Sequence, residues 1–262
     1  MRLKDKIAIV TGGGVENGIG RAIVRAFAKE GADVCIADIN DSLAKEAAEE
    51  VEKAGQRALA IKCDISKLKD IDHTVNAVLE EWKRIDILVN NAGIARFKPF
   101  LQVSPELTRK IWSVNLFGTF FMSQRVARHM VKRAKSIGYK PGDPATGKII
   151  NLSSLSEEVG TPLLSHYSTT KGGIKIMTKC MALELAEYGI RVNAIGPGIV
   201  DTSIATDFFA IKENYDAATE RIPLKYHATG KDIAGAAVFL ASSESDYITG
   251  TTIMVDGGLT AQ

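Results

Sequence analysis

The sequence predicts an α/β fold in which a parallel β-sheet carries helices on both faces. Seven short runs rich in β-branched and apolar residues alternate along the chain with longer segments of helical periodicity. Strands of this nearly continuous apolar character are buried on both faces, which is typical of a doubly wound sheet. The predicted strands are 6–12, 32–38, 57–64, 85–93, 147–154, 190–198 and 251–258.

The segments between these runs have amphipathic patterns. Residues 42–55 and 68–84 each place apolar side chains on one helical face among acidic and basic residues. Residues 137–147 are polar and rich in Gly and Pro, which predicts a surface loop. In a doubly wound sheet the connecting loops gather at the carboxyl ends of the strands, so we expect the functional residues at that edge.

Composition narrows the class of protein. A chain of 262 residues can form one α/β domain, and we expect a single domain over 1–262. A net charge of +2 gives no electrostatic reason for nucleic-acid or membrane binding, so the expected partners are small molecules or copies of the same chain. Charges within residues 1–10 and the lack of a run of about 20 apolar residues predict a cytoplasmic protein.

The three cysteines are far apart, and each lies in an apolar run. Cys35, Cys63 and Cys180 therefore suggest neither a disulfide framework nor a metal site. The sequence predicts three buried thiols and no metal.

A glycine-rich loop follows the first strand. TGGGVENGIG at 11–20 leads directly into the amphipathic helix pattern RAIVRAFAKEG. Glycines allow a close backbone approach to a pyrophosphate, and the free N–H groups of a helix N-terminus attract its charge. A flexible turn without a ligand is the alternative for this loop when it is considered alone.

The second strand ends in Asp38, 18 residues after Gly20. A carboxylate at this place can accept hydrogen bonds from both hydroxyls of an adenosine ribose and would repel a 2′-phosphate. The spacing therefore predicts NAD rather than NADP, although a solvated strand-end Asp is the alternative. Arg21, at the start of the helix, is the candidate basic residue to offset this preference. Asp64, after the third strand, is a candidate for a place near the adenine.

Ser154, Tyr167 and Lys171 are the candidate catalytic residues. Tyr167 and Lys171 are four residues apart in a helical stretch, so their side chains share one face. A nearby ammonium favours the phenolate and is expected to lower the tyrosine pKa from about 10 toward neutral pH. An isolated Tyr-x-x-x-Lys pair also occurs by chance.

Taken together, the motifs resemble those of the short-chain dehydrogenase/reductase family over essentially the whole chain. The resemblance rests on the TG start of the glycine loop, NNAG at 90–93, Asn115, Ser154 placed 13 residues before Tyr167, the YxxxK at 167–171, and PG at 197–198 followed by Thr202. It implies a Rossmann-type domain with a seven-stranded parallel sheet, and NAD as cofactor.

The resemblance also implies a role for each residue. Tyr167 would be the general acid/base, Ser154 would bind the substrate oxygen, and Lys171 would bind the nicotinamide ribose. Asn115 would support a water that leads to the lysine. The implied cofactor-binding residues are Gly12, Asn17, Gly18, Ile19, Gly20, Asp38, Asp64, Ile65, Asn91, Ala92, Gly93, Tyr167, Lys171, Pro197, Gly198, Val200 and Thr202.

Two features depart from the family pattern. Five residues, Gly13 to Asn17, separate Gly12 from Gly18 where the family has three, so the amides that would meet the pyrophosphate are not fixed by the sequence. Thr170 precedes the lysine where the family often has Ser, which keeps a hydroxyl group at this position.

Three functions are compatible with these residues. The first is hydride transfer between NAD(H) and a secondary alcohol or ketone, with a polyol, a sugar or a related small alcohol as substrate. The second is 3-oxoacyl-thioester reduction, against which Asp38 argues because that role usually takes NADPH. The third, a non-catalytic nucleotide-binding protein, is disfavoured by the complete set of Ser154, Tyr167 and Lys171.

Substrate specificity is expected from residues 94–100, 155–166 and 201–228, the last as a lid over the site. The candidates for an apolar wall are Phe208, Phe209 and Tyr215, and those for polar contacts are Arg96, Lys98, Glu157, Glu158 and His166. Packing or solvent exposure is the alternative for each of them.

Two long helical regions, 104–136 and 165–188, have more apolar positions than one sheet face can cover, which predicts a homodimer or homotetramer. The apolar sets are Leu116, Phe117, Phe120 and Phe121, and Ile174, Ile176, Met177, Met181 and Leu185.

Overall fold

A computed structural model describes residues 1–202 and 209–262 of the chain. Its centre is a seven-stranded sheet in the order β3-β2-β1-β4-β5-β6-β7, and every neighbouring pair is parallel. This order confirms the predicted doubly wound, Rossmann-type fold. The strands are β1 (Ile7–Thr11), β2 (Asp33–Asp38), β3 (Ala58–Lys62), β4 (Ile87–Asn90), β5 (Gly147–Leu152), β6 (Ile190–Pro197) and β7 (Thr252–Val255).

The helices lie on both faces of the sheet. They are α1 (Ile19–Lys29), α2 (Asp41–Lys53), α3 (Leu68–Trp82), α4 (Pro105–Trp112), α5 (Thr119–Ser136), α6 (Ser165–Leu185), α7 (Lys212–Arg221) and α8 (Gly230–Ala241). Local signals set several ends. Asn40 caps α2 by accepting from the N–H groups of Ser42 and Leu43, and Thr229 and Asp232 form a capping box at α8.

Alternate residues of each strand point into two separate cores. Ala8 and Val10 of β1 pack on the side of α1, α2 and α8, where Phe27 is fully buried. Ile7 and Ile9 pack on the side of α3, α5 and α6. Because both faces are covered, both sets of strand residues are apolar, which is why the sequence shows continuous runs rather than alternation.

A short π-helix, Ser113–Gly118, joins α4 to α5. The sequence analysis treated 104–136 as one helical region, and the π-helix interrupts it. Asn115 lies within the π-helix and is fully buried. π-helical turns widen a helix locally and are frequent at functional sites. The sequence-predicted surface loop at 137–147 is largely exposed up to residue 144.

The prediction of three buried thiols is confirmed for Cys35 and Cys63 and is wrong for Cys180. Cys180 lies on α6 with Ile176 and Leu183, on the helical face that points away from the sheet. The apolar run around Cys180 therefore supplies two faces of one helix, and only one of them faces the core.

Exposed apolar side chains also occur on the neighbouring α4–α5 region. Trp112, Phe117 and Phe120 are each more than two-fifths exposed and line a shallow groove with Leu116 and Phe121. Within the described parts of the chain, no helix has the length and apolar character needed to cross a membrane.

Candidate active site

The candidate site lies at the carboxyl ends of the strands, as expected. β1 is followed by the glycine loop, β2 ends in Asp38, β4 is followed by Asn91, and Ser154 comes two residues after β5. Loops from separate parts of the sequence are thus brought to one edge of the sheet.

The glycine loop packs tightly against the start of α1. Gly12 has a φ of +64°, which favours glycine. A Cβ on Gly20 would lie 2.2 Å from the Gly12 carbonyl oxygen and 2.4 Å from the Asn91 side-chain nitrogen, so only glycine fits there. Gly18 is the N-cap residue of α1 and Asn17 is exposed in the loop.

This helix N-terminus fits a dinucleotide. Among residues 1–202 and 209–262, no side chain caps α1, and the first turn of α1, which includes Ile19, has no acidic residue. Its N–H groups therefore keep their capacity for an anion such as a pyrophosphate.

A charged cluster formed by side chains of α1 and α2 binds the lengthened glycine loop. The sequence analysis did not predict this cluster. The Arg21 guanidinium is almost fully buried and donates to the carbonyl oxygens of Gly14 (2.7 Å) and Leu43 (3.1 Å) and to the Glu50 carboxylate (3.1 Å). Arg25 binds Glu50 as well. Arg21 is therefore committed to the loop and does not offset Asp38.

Glu16, the one acidic residue of the loop, completes the cluster through Arg25 at 2.6 Å. The hydrogen bonds that Glu50 accepts, from Arg25 most strongly and from Arg21 next, hold the pKa of Glu50 down at about 2. The i, i+4 spacing indicates that Arg21 and Arg25 share one face of α1. It does not identify Glu50 as their partner, because Glu50 lies 29 residues from Arg21.

Asp38 has little solvent exposure, and both of its carboxylate oxygens bind the chain. Oδ2 accepts from the Gly14 N–H (2.8 Å) and Oδ1 from the Asn40 N–H (3.0 Å). A carboxylate has about four acceptor positions, so two of them remain for a ribose diol.

Asp64, after β3, is bound locally. Burial opposes its ionisation, but hydrogen bonds from Ser66 and the ammonium of Lys67 hold the Asp64 pKa below its usual value. The neighbouring Ile65 is buried in the core, against Gly118. A contact of either residue with a cofactor stays a prediction.

The NNAG segment is anchored on the first loop. The Asn91 side chain donates to the carbonyl oxygens of Thr11 (3.0 Å) and Gly12 (2.8 Å), and the Ala92 N–H donates to the Thr11 hydroxyl (3.1 Å). Thr11, the first residue of the TG start, therefore positions the NNAG segment, a role that the sequence analysis did not assign to it.

Asn115 is bound to the same segment by two reciprocal bonds. Its Oδ1 accepts from the Ile94 N–H (2.8 Å) and its Nδ2 donates to the Ile94 carbonyl (2.9 Å). Nδ2 also donates to the Thr170 hydroxyl at 3.3 Å, beside Lys171, and a Cβ on Gly93 would lie 3.5 Å from Oδ1. The water-mediated role of Asn115 stays a prediction.

Ser154 and Tyr167 meet at the end of β5. Ser154 is buried, and its Oγ accepts from the Ser156 N–H (3.1 Å). Tyr167 lies in the first turn of α6. Burial raises the pKa of Tyr167 to about 12, and its hydrogen bond with Ser154 acts in the opposite direction. The sequence analysis expected Lys171 to lower the Tyr167 pKa; instead burial raises this pKa, and Ser154 is the group that opposes the rise.

Lys171 lies beneath the tyrosine. Its Nζ donates to the Leu152 carbonyl at 2.7 Å and lies 5.4 Å from the centre of the Tyr167 ring. Burial lowers the pKa of Lys171 to about 8, while the negative charge of Glu157 raises it. Lys171 therefore keeps its positive charge at neutral pH. The bond to the Leu152 carbonyl fixes the orientation of its other two N–H groups.

The polar substrate candidates differ in environment. Arg96 is exposed and binds its own neighbour, the Ala95 carbonyl. Glu158 pairs with Lys175, whereas both Glu157 oxygens are buried without a hydrogen-bond partner among the described residues. His166 is buried, and its carbonyl accepts from the Trp112 indole. Lys98 is exposed, and Phe208 lies outside the described residues.

The last loop of the site follows β6. Pro197 ends the strand, the Gly198 N–H donates to Val255 of β7 (2.9 Å), and Val200 forms a parallel bridge with Ala228. Thr202 is the last described residue before the gap. The two ends of the expected lid segment, 201–228, are therefore joined at their base.

Comparison with known proteins agrees with this geometry. Residues 13–260 match the family model described as Enoyl-(Acyl carrier protein) reductase. Galactitol 2-dehydrogenase of Agrobacterium fabrum is 40% identical, over 98% of this chain and 98% of that protein. L-2,3-butanediol dehydrogenase of Corynebacterium glutamicum is 38% identical, over 97% of this chain and 98% of that protein.

Solved structures show the same architecture. A short-chain type dehydrogenase/reductase from Mycobacterium marinum matches with a TM-score of 0.90 and 32% identity, covering 99% of this chain and 97% of that one. Other similar structures were solved with NADH or NADP. The matches extend over nearly the whole chain and include the sheet and the loops at its carboxyl edge. This chain belongs to the short-chain dehydrogenase/reductase family of alcohol and carbonyl oxidoreductases.

Proposed function

We propose that this enzyme transfers a hydride between NAD(H) and a secondary alcohol or ketone, with a polyol, a sugar or a related small alcohol as substrate. The observation that carries the proposal is the cluster of half-buried Tyr167 with buried Ser154 and Lys171, at the same sheet edge as the N-terminus of α1. A nucleotide-binding protein without activity would have no need to pack an ionisable tyrosine against a lysine.

Proton transfer is the task of Tyr167. In ketone reduction its hydroxyl donates a proton to the substrate oxygen, and a pKa of about 12 keeps that proton available at neutral pH. In alcohol oxidation the phenolate accepts the proton, and the Lys171 ammonium stabilises it at 5.4 Å from the ring. Ser154 donates a hydrogen bond to the developing alkoxide.

When bound, the nicotinamide supplies or takes up the hydride. Lys171 would bind its ribose with the donors that Leu152 leaves unused. Pro197, Gly198, Val200 and Thr202 would hold its carboxamide, so that one ring face meets the substrate. The glycine loop would bind the pyrophosphate, and Asp38 the adenosine ribose.

Small alcohols are favoured by the relatives. The two relatives described above are named for a diol and a polyol. A 3-oxoacyl-thioester reductase is the second candidate, favoured by a similar structure of a 3-ketoacyl-(acyl-carrier-protein) reductase solved with NADH. We place it second because the curated relatives named above are dehydrogenases of small alcohols.

The test is a substrate panel combined with Tyr167→Phe. Polyols, sugars, sugar acids, hydroxysteroids and 3-oxoacyl thioesters are assayed by NADH absorbance. We expect Tyr167→Phe to lower kcat about 10²–10⁴-fold and to leave NADH binding intact, because only the hydroxyl is lost. Tyr247→Phe is the matched control, since Tyr247 is fully exposed. A Tyr167→Phe variant with more than about a tenth of wild-type turnover would contradict the assigned role.

A further inference from the structure

A buried histidine lies next to the segment proposed to hold the nicotinamide. The His227 imidazole is completely buried, and its Nδ1–H donates to Asp201 Oδ1 at 3.0 Å. Asp201 is about half exposed and stands between Val200 and Thr202. No part of the reaction described above uses this pair.

The backbone joins the same two places. The Asp201 N–H donates to the Ala228 carbonyl at 2.8 Å, and the Ala228 N–H donates to the Ile199 carbonyl at 3.0 Å. Together with the bridge from Val200 to Ala228, these bonds fix the base of the segment. The His227 imidazole adds a side-chain hydrogen bond to these backbone bonds, at Asp201, the residue before Thr202.

The other side of the imidazole contacts the arm that precedes it. The Tyr215 ring of α7 is stacked on it with centroids 4.0 Å apart and an angle of 32° between the planes. Phe209 meets it at 5.0 Å and 64°. His227 is therefore the common neighbour of Asp201 and of two aromatic residues from 209–221.

If the side chain at position 227 only filled space, an apolar ring would be more favourable there than an imidazole. Nε2 of His227 is buried and has no hydrogen-bond partner among the described residues. A buried polar atom without a partner is unfavourable, and Phe or Leu would avoid this penalty. The imidazole has an advantage only through the bond from Nδ1 to Asp201.

From this geometry we propose that His227 is a positioning residue. Through Asp201 it fixes residues 199–202 in the conformation that receives the nicotinamide carboxamide, and through Tyr215 it connects α7 to that segment. The inference rests on the proposed function, because it assigns the nicotinamide to 197–202.

The experiment compares two ligands of the full-length protein. NADH has the nicotinamide ring, whereas ADP-ribose lacks only this ring and keeps the adenosine, the pyrophosphate and the second ribose. Dissociation constants are measured by nicotinamide fluorescence for NADH and by calorimetry for ADP-ribose. His227→Phe keeps the ring but loses the donor, and Asp201→Ala removes the acceptor. His73→Phe is the control, since His73 is exposed on α3.

We expect His227→Phe to raise the dissociation constant of NADH about tenfold, which is one charge-assisted hydrogen bond, and that of ADP-ribose less than about twofold. Asp201→Ala should do the same, and the double variant should be no weaker than either single variant, because both remove one interaction. In His227→Asn the amide can donate in place of Nδ1, so this variant should recover most of the affinity for NADH.

Unchanged NADH affinity in His227→Phe, or an equal loss of both ligands, would overturn the inference. Additive effects in the double variant would do the same. A wild-type protein that binds ADP-ribose but not NADH would overturn the proposed function together with the inference. Should His227→Phe not fold, Asp201→Ala and His227→Asn decide the matter, because Asp201 is half exposed and Asn is small enough for the site.

Discussion

The proposed preference for NAD over NADP can be tested at one carboxylate. Asp38→Asn removes the charge but keeps the shape of the side chain. Asp38 already accepts the N–H groups of Gly14 and Asn40, so the amide will leave one of these donors without an acceptor. That loss lowers stability by about 1–3 kcal/mol. It affects both cofactors alike and therefore cancels in the ratio of their kcat/KM values.

Two effects remain in the ratio. Hydrogen bonds from the ribose diol to a carboxylate contribute about 1.5–3 kcal/mol each, and an amide keeps roughly half of that. A unit charge at about 4 Å from Asp38 is repelled by roughly 4 kcal/mol before salt screening, and a 2′-phosphate carries nearly two charges. Since 1.4 kcal/mol is tenfold, we expect the NAD/NADP ratio to fall by at least about 100-fold.

The assay is kcat/KM for both cofactors with one alcohol substrate. Asp41→Asn is the matched control, because Asp41 lies three residues away, pairs with Lys45 and is exposed. It should change the ratio by less than about threefold, as expected for a solvent-screened charge. A wild-type enzyme that favours NADP, or an Asp38→Asn enzyme with an unchanged ratio, would refute the argument. Arg21 cannot rescue the phosphate, since it is bound to Gly14 and Glu50.

Three further predictions concern the rest of the molecule. Glu50→Gln should lower the free energy of unfolding at pH 7 by about 1–2 kcal/mol, allowing for the partial exposure of Glu50. Because the Glu50 pKa is lowered from 4.5 to about 2, this difference should be complete above pH 4.5 and vanish as the pH falls to about 2 in chemical denaturation curves. A thiol reagent should leave Cys35 and Cys63 unlabelled in the native protein and label them after denaturation, since burial raises the pKa of both thiols. Light scattering should give a dimer or tetramer, and Phe120→Glu should lower the mass, whereas Leu101→Glu, in the exposed 3-10 helix Phe100–Gln102, should not. A monomeric wild type would contradict the interface prediction.

The fold was predictable because each strand repeats the same physical constraint. β1 buries Ile7 and Ile9 on one face and Ala8 and Val10 on the other, so a continuous apolar run indicates a covered strand. The proximity of Tyr167 and Lys171 was predictable for a related reason. A tyrosine and a lysine four residues apart must share a helix face, and the structure places Lys171 beneath the Tyr167 ring.

Contacts between distant segments were not predictable in this way. Glu50 lies 29 residues from Arg21, and His227 lies 26 residues from Asp201. Charged residues are frequent on helix surfaces, so no spacing selects these partners. The exposure of Cys180 was not predicted for a different reason. The helix α6 has apolar residues on two faces, so its hydrophobic periodicity does not indicate which face packs against the core.

The lengthened glycine loop connects these observations. Additional residues in a phosphate-binding loop increase the number of conformations that a bound ligand must order. In this chain the Gly14 N–H donates to Asp38 and the Gly14 carbonyl accepts from Arg21, so both backbone polar groups of Gly14 are bound by charged side chains. Asp38 thus holds the loop that would face the pyrophosphate with the same carboxylate that would select the ribose. We therefore expect a substitution of Asp38 that changes the cofactor preference to loosen the loop as well.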